Sequence, residues 1–318
     1  MTTLDDAAAV VRLASDDDYF TADDDRIVEI QEALSAVGQG KDPPEPLLAV
    51  GAPASVHRDR QDEIPVLLAT FYTTLRAWQV NPKTNVHLFL RDLTSGVLRV
   101  AHPLLSNRRG VRQRPSGAGS PPSELNAVTT NAGVERCKLV ERLAPTPICA
   151  GRYVVTATWH ELLSNSTGVQ VEGGPARAGL TWSGPQPYVQ AYRDVTPDPG
   201  VKVWVRPAAE GPVVVRVAAQ VSASSGVLKL GQAGAAEGEA WFWPCNVILS
   251  RLDERPIIVP ALVPVDQASG GEGGARQFNA VFDVDLRAAL EGALSGAFQI
   301  FVDLGERFVG PFPLQVDG

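Results

Sequence analysis

Cysteine is scarce in this chain: three in 318 residues, Cys137, Cys149 and Cys245, an odd set without C-x-x-C spacing. That excludes a disulfide framework and predicts buried free thiols in a reducing, cytoplasmic setting. Histidine is almost as rare, with four. The sequence His160-Glu161-Leu162-Leu163-Ser164 puts serine where a zinc helix needs its second imidazole one turn on, and it follows a strand pattern, so no metal is expected there. Long hydrophobic runs are missing too. The longest, Pro256 to Val265, falls short of the about 20 residues a bilayer-spanning helix requires. The N-terminus carries acids where a secretory signal wants bases, and no such signal is read. There is no G-x-S-x-G elbow and no phosphate-binding loop, and the glycine-rich stretch Ser269 to Ala275 lacks G-x-G-x-x-G. These absences predict no cofactor, no membrane span and no recognisable catalytic motif. A hydrolase would need a site assembled only in the fold, from carboxylates or histidines distant in sequence.

A broadly basic surface is also lacking. The formal net charge is −8, and residues 1–46 alone hold 12 acids against three bases. Nucleic acid is therefore not an expected partner. The acids cluster where helices should begin. Thr3 with Asp6, and Thr21 with Asp24, are spaced to cap two helices, the second carrying Ile27, Ile30, Leu34 and Val37 on one stripe and stopped by Gly38. Read as a calcium loop, the Asp16 cluster fails, because Phe20 falls where an oxygen ligand belongs. Lys41 to Pro46 reads as a linker, giving an acidic helical extension over 1–46.

Turn-forming residues are abundant, with 29 Gly and 25 Pro. From Leu47 onward short alternating apolar runs recur between them. Gly151 to Gly173 and Gly296 to Gly318 have the same length at an offset of 145. They pair Gly151 with Gly296, Tyr153 with Phe298, Val155 with Ile300, Val169 with Leu314 and Val171 with Val316. Each reads as a hairpin with one buried face. Pro65 and Pro212 stand 147 apart, and Leu139 and Val284 stand 145 apart, which extends the match into an ancient internal duplication. The expectation is a mainly β protein: two tandem antiparallel β-sandwich domains, 47–174 and 175–318, behind the helical extension.

The segments Ala150 to Val155 (AGRYVV) and Ser295 to Ile300 (SGAFQI) resemble the glycine-then-aromatic opening of the penultimate strand in immunoglobulin-like and fibronectin-type-III-like domains. The resemblance implies that the Tyr153 hydroxyl bonds back to the preceding corner, which Phe298 cannot do. The intersheet cysteine pair of antibody domains has no counterpart.

Two stretches are candidate binding residues. Arg108, Arg109, Arg112 and Arg114 lie in a Ser/Gly/Pro-rich loop and could grip an acidic partner. Trp241, Phe242 and Trp243 precede Pro244, and alternation puts both indoles on one face, either plugging the sandwich or forming a flat surface. His87 alternates against Val86, Leu88 and Leu90 and is expected on the solvent side. Asn165-Ser166-Thr167 matches a glycosylation acceptor, read as chance. The function expected is non-catalytic: a protein partner or self-association in an assembly, with carbohydrate binding through the tryptophans as the alternative.

Overall fold

The computed structural model describes residues 3–39, 45–57, 63–73, 80, 82–101, 130–143, 148–175, 189–192, 195, 197, 201–206, 213–222, 227–230, 240–267, 276–289 and 295–316. Among these the protein is mainly β, built of antiparallel sheets, with few helices. The chain forms two compact units. Unit 1 takes residues 1–90, 99–176 and 252–254; unit 2 takes 91–98, 177–251 and 255–318.

Unit 1 runs α1 (Thr3–Val10), α2 (Asp18–Thr21), α3 (Asp24–Gln39), β1 (Leu47–Gly51), β2 (Ser55–His57), β3 (Pro65–Thr73), α4 (Pro82–Asn85), β4 (Val86–Asp92, whose last two residues cluster with unit 2), β5 (Leu98–Ala101), β6 (Thr130–Lys138), α5 (Leu139–Arg142), β7 (Gly151–Trp159), β8 (Leu162–Leu163) and β9 (Thr167–Glu172). One sheet is ordered β1-β3-β6; the other is ordered β2-β9-β7-β4-β5, with β8 beside β7. All described ladders of this unit are antiparallel except β2 with β9. Between the sheets lie Val50, Val66, Leu68, Leu88, Tyr153, Val155, Trp159 and Val169, all buried.

The sheet β1-β3-β6 is covered on its other face as well. Ala7, Val11, Tyr19, Ile30 and Leu34 from the helices close over Leu47, Ala49, Leu67, Ala69 and Phe71. That explains why β3 reads as a continuous apolar run, as strands buried on both faces do. Gly38 does not stop the helix. It lies inside α3, buried, and a Cβ there would come within 2.2 Å of the Phe71 ring. The glycine is needed for close approach, not for a turn. The acids act as backbone caps. Asp23 Oδ1 accepts from Arg26 N at 2.9 Å, Asp18 Oδ2 from Ser15 N at 2.9 Å, and Asp16 accepts from Ala54 N at 2.6 Å and Ser55 N at 2.9 Å.

Unit 2 contains β10 (Val189–Ala191), β11 (Lys202–Arg206), β12 (Val214–Ser222), β13 (Leu228–Leu230), β14 (Ala240–Ser250), β15 (Ile257–Gln267), β16 (Gln277–Asp285), α6 (Leu286–Ala289), β17 (Gly296–Asp303) and β18 (Phe308–Val316). They join in the order β11-β12-β16-β15-β14-β17-β18, with β10 beside β16 and β13 beside β14. The continuous sheet folds over a core of Val215, Val217, Trp243, Val247, Phe278, Phe282, Phe298, Ile300 and Leu314.

The two closing hairpins share one register. Gly151 faces Val171, and Tyr153 faces Val169; Gly296 faces Val316, and Phe298 faces Leu314. Tyr153 and Phe298 are both buried, and both opening glycines have positive φ, 153° and 102°. The Tyr153 hydroxyl donates to the Cys149 carbonyl at 2.8 Å. Elsewhere the correspondence slips by two residues. Leu139 N donates to Ile64 O, and Leu286 N donates to Val213 O, so Leu139 matches Leu286 and not Val284. An even slip leaves the buried face unchanged. At those leucines the chain leaves the ladder: β6 ends at Lys138, and Leu143 N then closes a helical turn on Leu139 O.

Candidate interaction surface

The sheet β10-β16-β12-β11 of unit 2 has one face in the core and one face outward. Alternation decides which residues point out, because facing residues of an antiparallel pair share a side. One row crosses the sheet as Trp204 opposite Arg216, Arg216 opposite Asp283, and Asp283 opposite Gln190. Asp283 takes Arg216 in a fork, Nε to Oδ1 at 2.6 Å and Nη2 to Oδ2 at 2.7 Å. Tyr192 donates its hydroxyl to Asp283 Oδ2 at 2.8 Å, and Arg216 Nη2 reaches the same hydroxyl at 3.0 Å. The guanidinium carbon also stands 5.0 Å from the Tyr192 ring centre.

This arrangement fixes charge states. The hydrogen bonds it donates to Asp283 hold the Arg216 guanidinium protonated, above its ordinary range. The same carboxylate raises the Tyr192 hydroxyl, so the phenol stays neutral. A paired, stacked arginine is pre-organised, with little rotamer freedom left to lose. Beside it Trp204 is 45% exposed, the one aromatic side chain among the described exposed large hydrophobics. Gln220 and Asn279 lie four residues along the same face, 3.4 Å apart at their amides.

The residues singled out in the sequence fall elsewhere. Trp243 is wholly buried, edge-on to Phe282 at 6.2 Å. Trp241 is half-buried against Phe278 at 5.1 Å, with the Arg276 guanidinium 5.6 Å from its ring centre. Phe242 is half-buried, paired with Leu228 on β13 and Pro264 on β15. The two indoles do share a face, but it is the inner one, continuous with Cys245, Val247 and Leu249. They cannot form a flat external surface. Arg108, Arg109, Arg112 and Arg114 lie outside the described residues.

His87 is buried, not solvent-facing, because both faces of β4 are covered. His160 sits in the β7–β8 turn at φ 50°, and Ser164 Oγ accepts from Ala157 N at 2.8 Å, so this segment is no metal helix. Asn165 is used internally: its amide donates to Val50 O at 2.8 Å and its Oδ1 accepts from Val50 N at 3.0 Å.

A buried polar cluster also lies in unit 2. Arg91 donates to the carbonyls of Gly96 and Pro244 and pairs with Asp303 at 3.0 Å, both side chains fully buried. Asn246 Nδ2 and Gly305 N donate to the same carboxylate at 2.7 and 2.8 Å. Burial pushes the Asp303 carboxyl up, against the opposing pull of Arg91, Asn246 and Gly305. Burial likewise pushes the Cys245 thiol far up, which leaves it a poor nucleophile. This cluster ties backbone segments together and offers no reacting group to solvent.

Sequence reasoning missed Trp204. The signal was present in Lys202-Val-Trp-Val-Arg206, where strict alternation puts the tryptophan on the charged side of its strand. No protein-family model matches the chain, and no curated protein matches it. Among the described residues no helix is long and apolar enough to cross a membrane.

Proposed function

We propose that this is a non-catalytic interaction protein of immunoglobulin-like sandwiches, docking a protein partner on the outer sheet face of unit 2. The observation that carries the reading is the 45% exposed Trp204 set opposite an Arg216 already locked by Asp283 and Tyr192. Tryptophan, tyrosine and arginine are the residue types that dominate binding hot spots, and pre-organisation lowers the entropy lost on docking. The immunoglobulin-like part is supported by the Tyr153 hydroxyl reaching the Cys149 carbonyl in front of its strand. A reducing, cytoplasmic setting is supported by Cys137 and Cys245 as buried free thiols.

Trp204→Ala tests the function. It should weaken binding to an identified partner by about tenfold or more, with the fold retained, because Trp204 lies outside the buried core of unit 2. A partner bound equally well by the variant overturns the proposal. On a glycan array, sugar binding lost with Trp204→Ala would replace the protein partner by a carbohydrate, using the amides of Gln220 and Asn279 as hydroxyl partners.

A further inference from the structure

The edge next to Trp204 differs from its counterpart in unit 1. In unit 1 the edge strand β1 has Val50 N–H and C=O both taken by the Asn165 side-chain amide. Its inward residues Leu48, Val50 and Ala52 are buried, at 2%, 1% and 6% exposure. The corresponding edge in unit 2 is β11, the terminal strand of its sheet, with β12 as its ladder partner among the described residues. Ladder positions match Leu48, Val50 and Ala52 to Val201, Val203 and Val205, and these valines are only half-buried. The position 145 residues after Asn165 is Gly310, which has no side chain to cap an edge. None could be added, since a Cβ there would lie 2.7 Å from the Ile300 carbonyl oxygen. Unit 2 thus keeps an edge whose core valines are partly uncovered.

We infer that the partner docks as an extended strand along β11, with acidic residues at alternate positions bracketing the one that packs on Trp204. This rests on the reading of the Trp204 face as a protein-binding surface. An added strand bonds to the edge backbone through its main chain and takes specificity from alternate side chains. Its inward residues, apolar, complete the cover over Val201, Val203 and Val205. Its outward residues stand in line with positions 202, 204 and 206, which are Lys, Trp and Arg. The charge order also argues against a second copy as occupant. Antiparallel self-pairing centred on Trp204 would set position 202 against position 206 twice, lysine against arginine, and like charges directly opposite are destabilising.

The test uses the full-length protein and a synthetic peptide of nine residues, with valine at every second position and glutamate between, except for leucine at the central position that faces Trp204. Its controls are a block-ordered peptide of the same composition and a version with lysine for glutamate. Binding of the alternating acidic peptide should slow amide exchange within 203–205. Lys202→Glu should weaken that peptide by about two- to fivefold and favour the lysine version. Trp204→Ala should weaken it by about tenfold. Absence of binding, equal binding of the block-ordered peptide, or no slowing of exchange at 203–205 overturns strand addition and leaves the docking face to its own test. Strand binding that is indifferent to Trp204→Ala overturns the reading of the face itself, and this inference with it.

Discussion

The outer faces of two matching sheets, β1-β3-β6 in unit 1 and β11-β12-β16 in unit 2, have opposite fates. Ladder positions pair Leu67 with Arg216, Ala69 with Ala218, Phe71 with Gln220, Ala132 with Asn279, Val134 with Val281 and Arg136 with Asp283. Every large apolar residue of the first set lies beneath helices α1 to α3, and Arg136 donates to the Phe20 and Ala22 carbonyls at 3.0 and 3.2 Å. In the second set the two large apolar positions have become arginine and glutamine. One backbone plan thus serves as the middle layer of three in one unit and as an outward-facing surface in the other. What differs is the side chains on a single face. A tryptophan left exposed on the polar version is therefore more informative than one among apolar neighbours.

The largest test of this contrast is Phe71→Ala beside Gln220→Ala. Phe71 is fully buried and sits against Gly38 of α3. Truncating it should cost about 4 kcal/mol in chemical denaturation, and the helices should detach first by hydrogen exchange. Gln220→Ala at the matching position should change stability by less than about 0.5 kcal/mol. Equal costs would mean that the two faces are alike.

The two arginine–carboxylate pairs of unit 2 sharpen the same lesson. Arg91 and Asp303 are fully buried, whereas the side chains of Arg216 and Asp283 are 30% and 15% exposed. Arg91→Met strands a buried carboxylate and should cost about 3 kcal/mol at neutral pH. Arg216→Met should cost less than about 1 kcal/mol. The pH dependence has a definite sign. Burial already raises the Asp303 pKa in the folded protein, and losing Arg91 removes a downward pull. A carboxyl whose folded pKa is raised contributes stability below its unfolded pKa, and that contribution is lost as pH climbs through the folded pKa. The loss is larger without Arg91, so the deficit of Arg91→Met should shrink as pH is lowered from 7 toward 4, read from melting temperatures. A deficit that grows in acid would overturn this assignment.

Much of this architecture was legible in the sequence. The closing hairpins, their shared register and most strands follow from apolar period and glycine placement. The contrast of faces is written in β3, PVLLATFYT, against β12, VVRVAAQVS: the first is apolar on both parities, the second on one. For the Trp-Phe-Trp cluster, the choice between plug and flat surface turns on where β14 begins. It begins at Ala240, and Pro244 is tolerated within it, its carbonyl accepting from Arg91. Once the strand is extended, Trp241 and Trp243 share parity with Cys245, Val247 and Leu249, and that parity is the core side. The buried Arg91–Asp303 pair could not be found from sequence, because its partners are distant in the chain and meet only in the fold.

The smallest expected effect separates the two closing hairpins. Tyr153 and Phe298 hold one structural position, both buried, but only the tyrosine reaches a carbonyl, that of Cys149, at 2.8 Å. Tyr153→Phe removes a donor and leaves that carbonyl without it, a loss of about 1 kcal/mol for a neutral hydrogen bond. Phe298 has the Arg251 guanidinium 5.8 Å from its ring centre, an attraction of the same order or smaller at a partly exposed site. Phe298→Tyr should gain nothing, because burial of a new hydroxyl without a partner offsets any contact it makes. If Tyr153→Phe is neutral in urea titration, the hydroxyl is not what holds the corner. Unit 1 would then close its hairpin as unit 2 does, by packing alone.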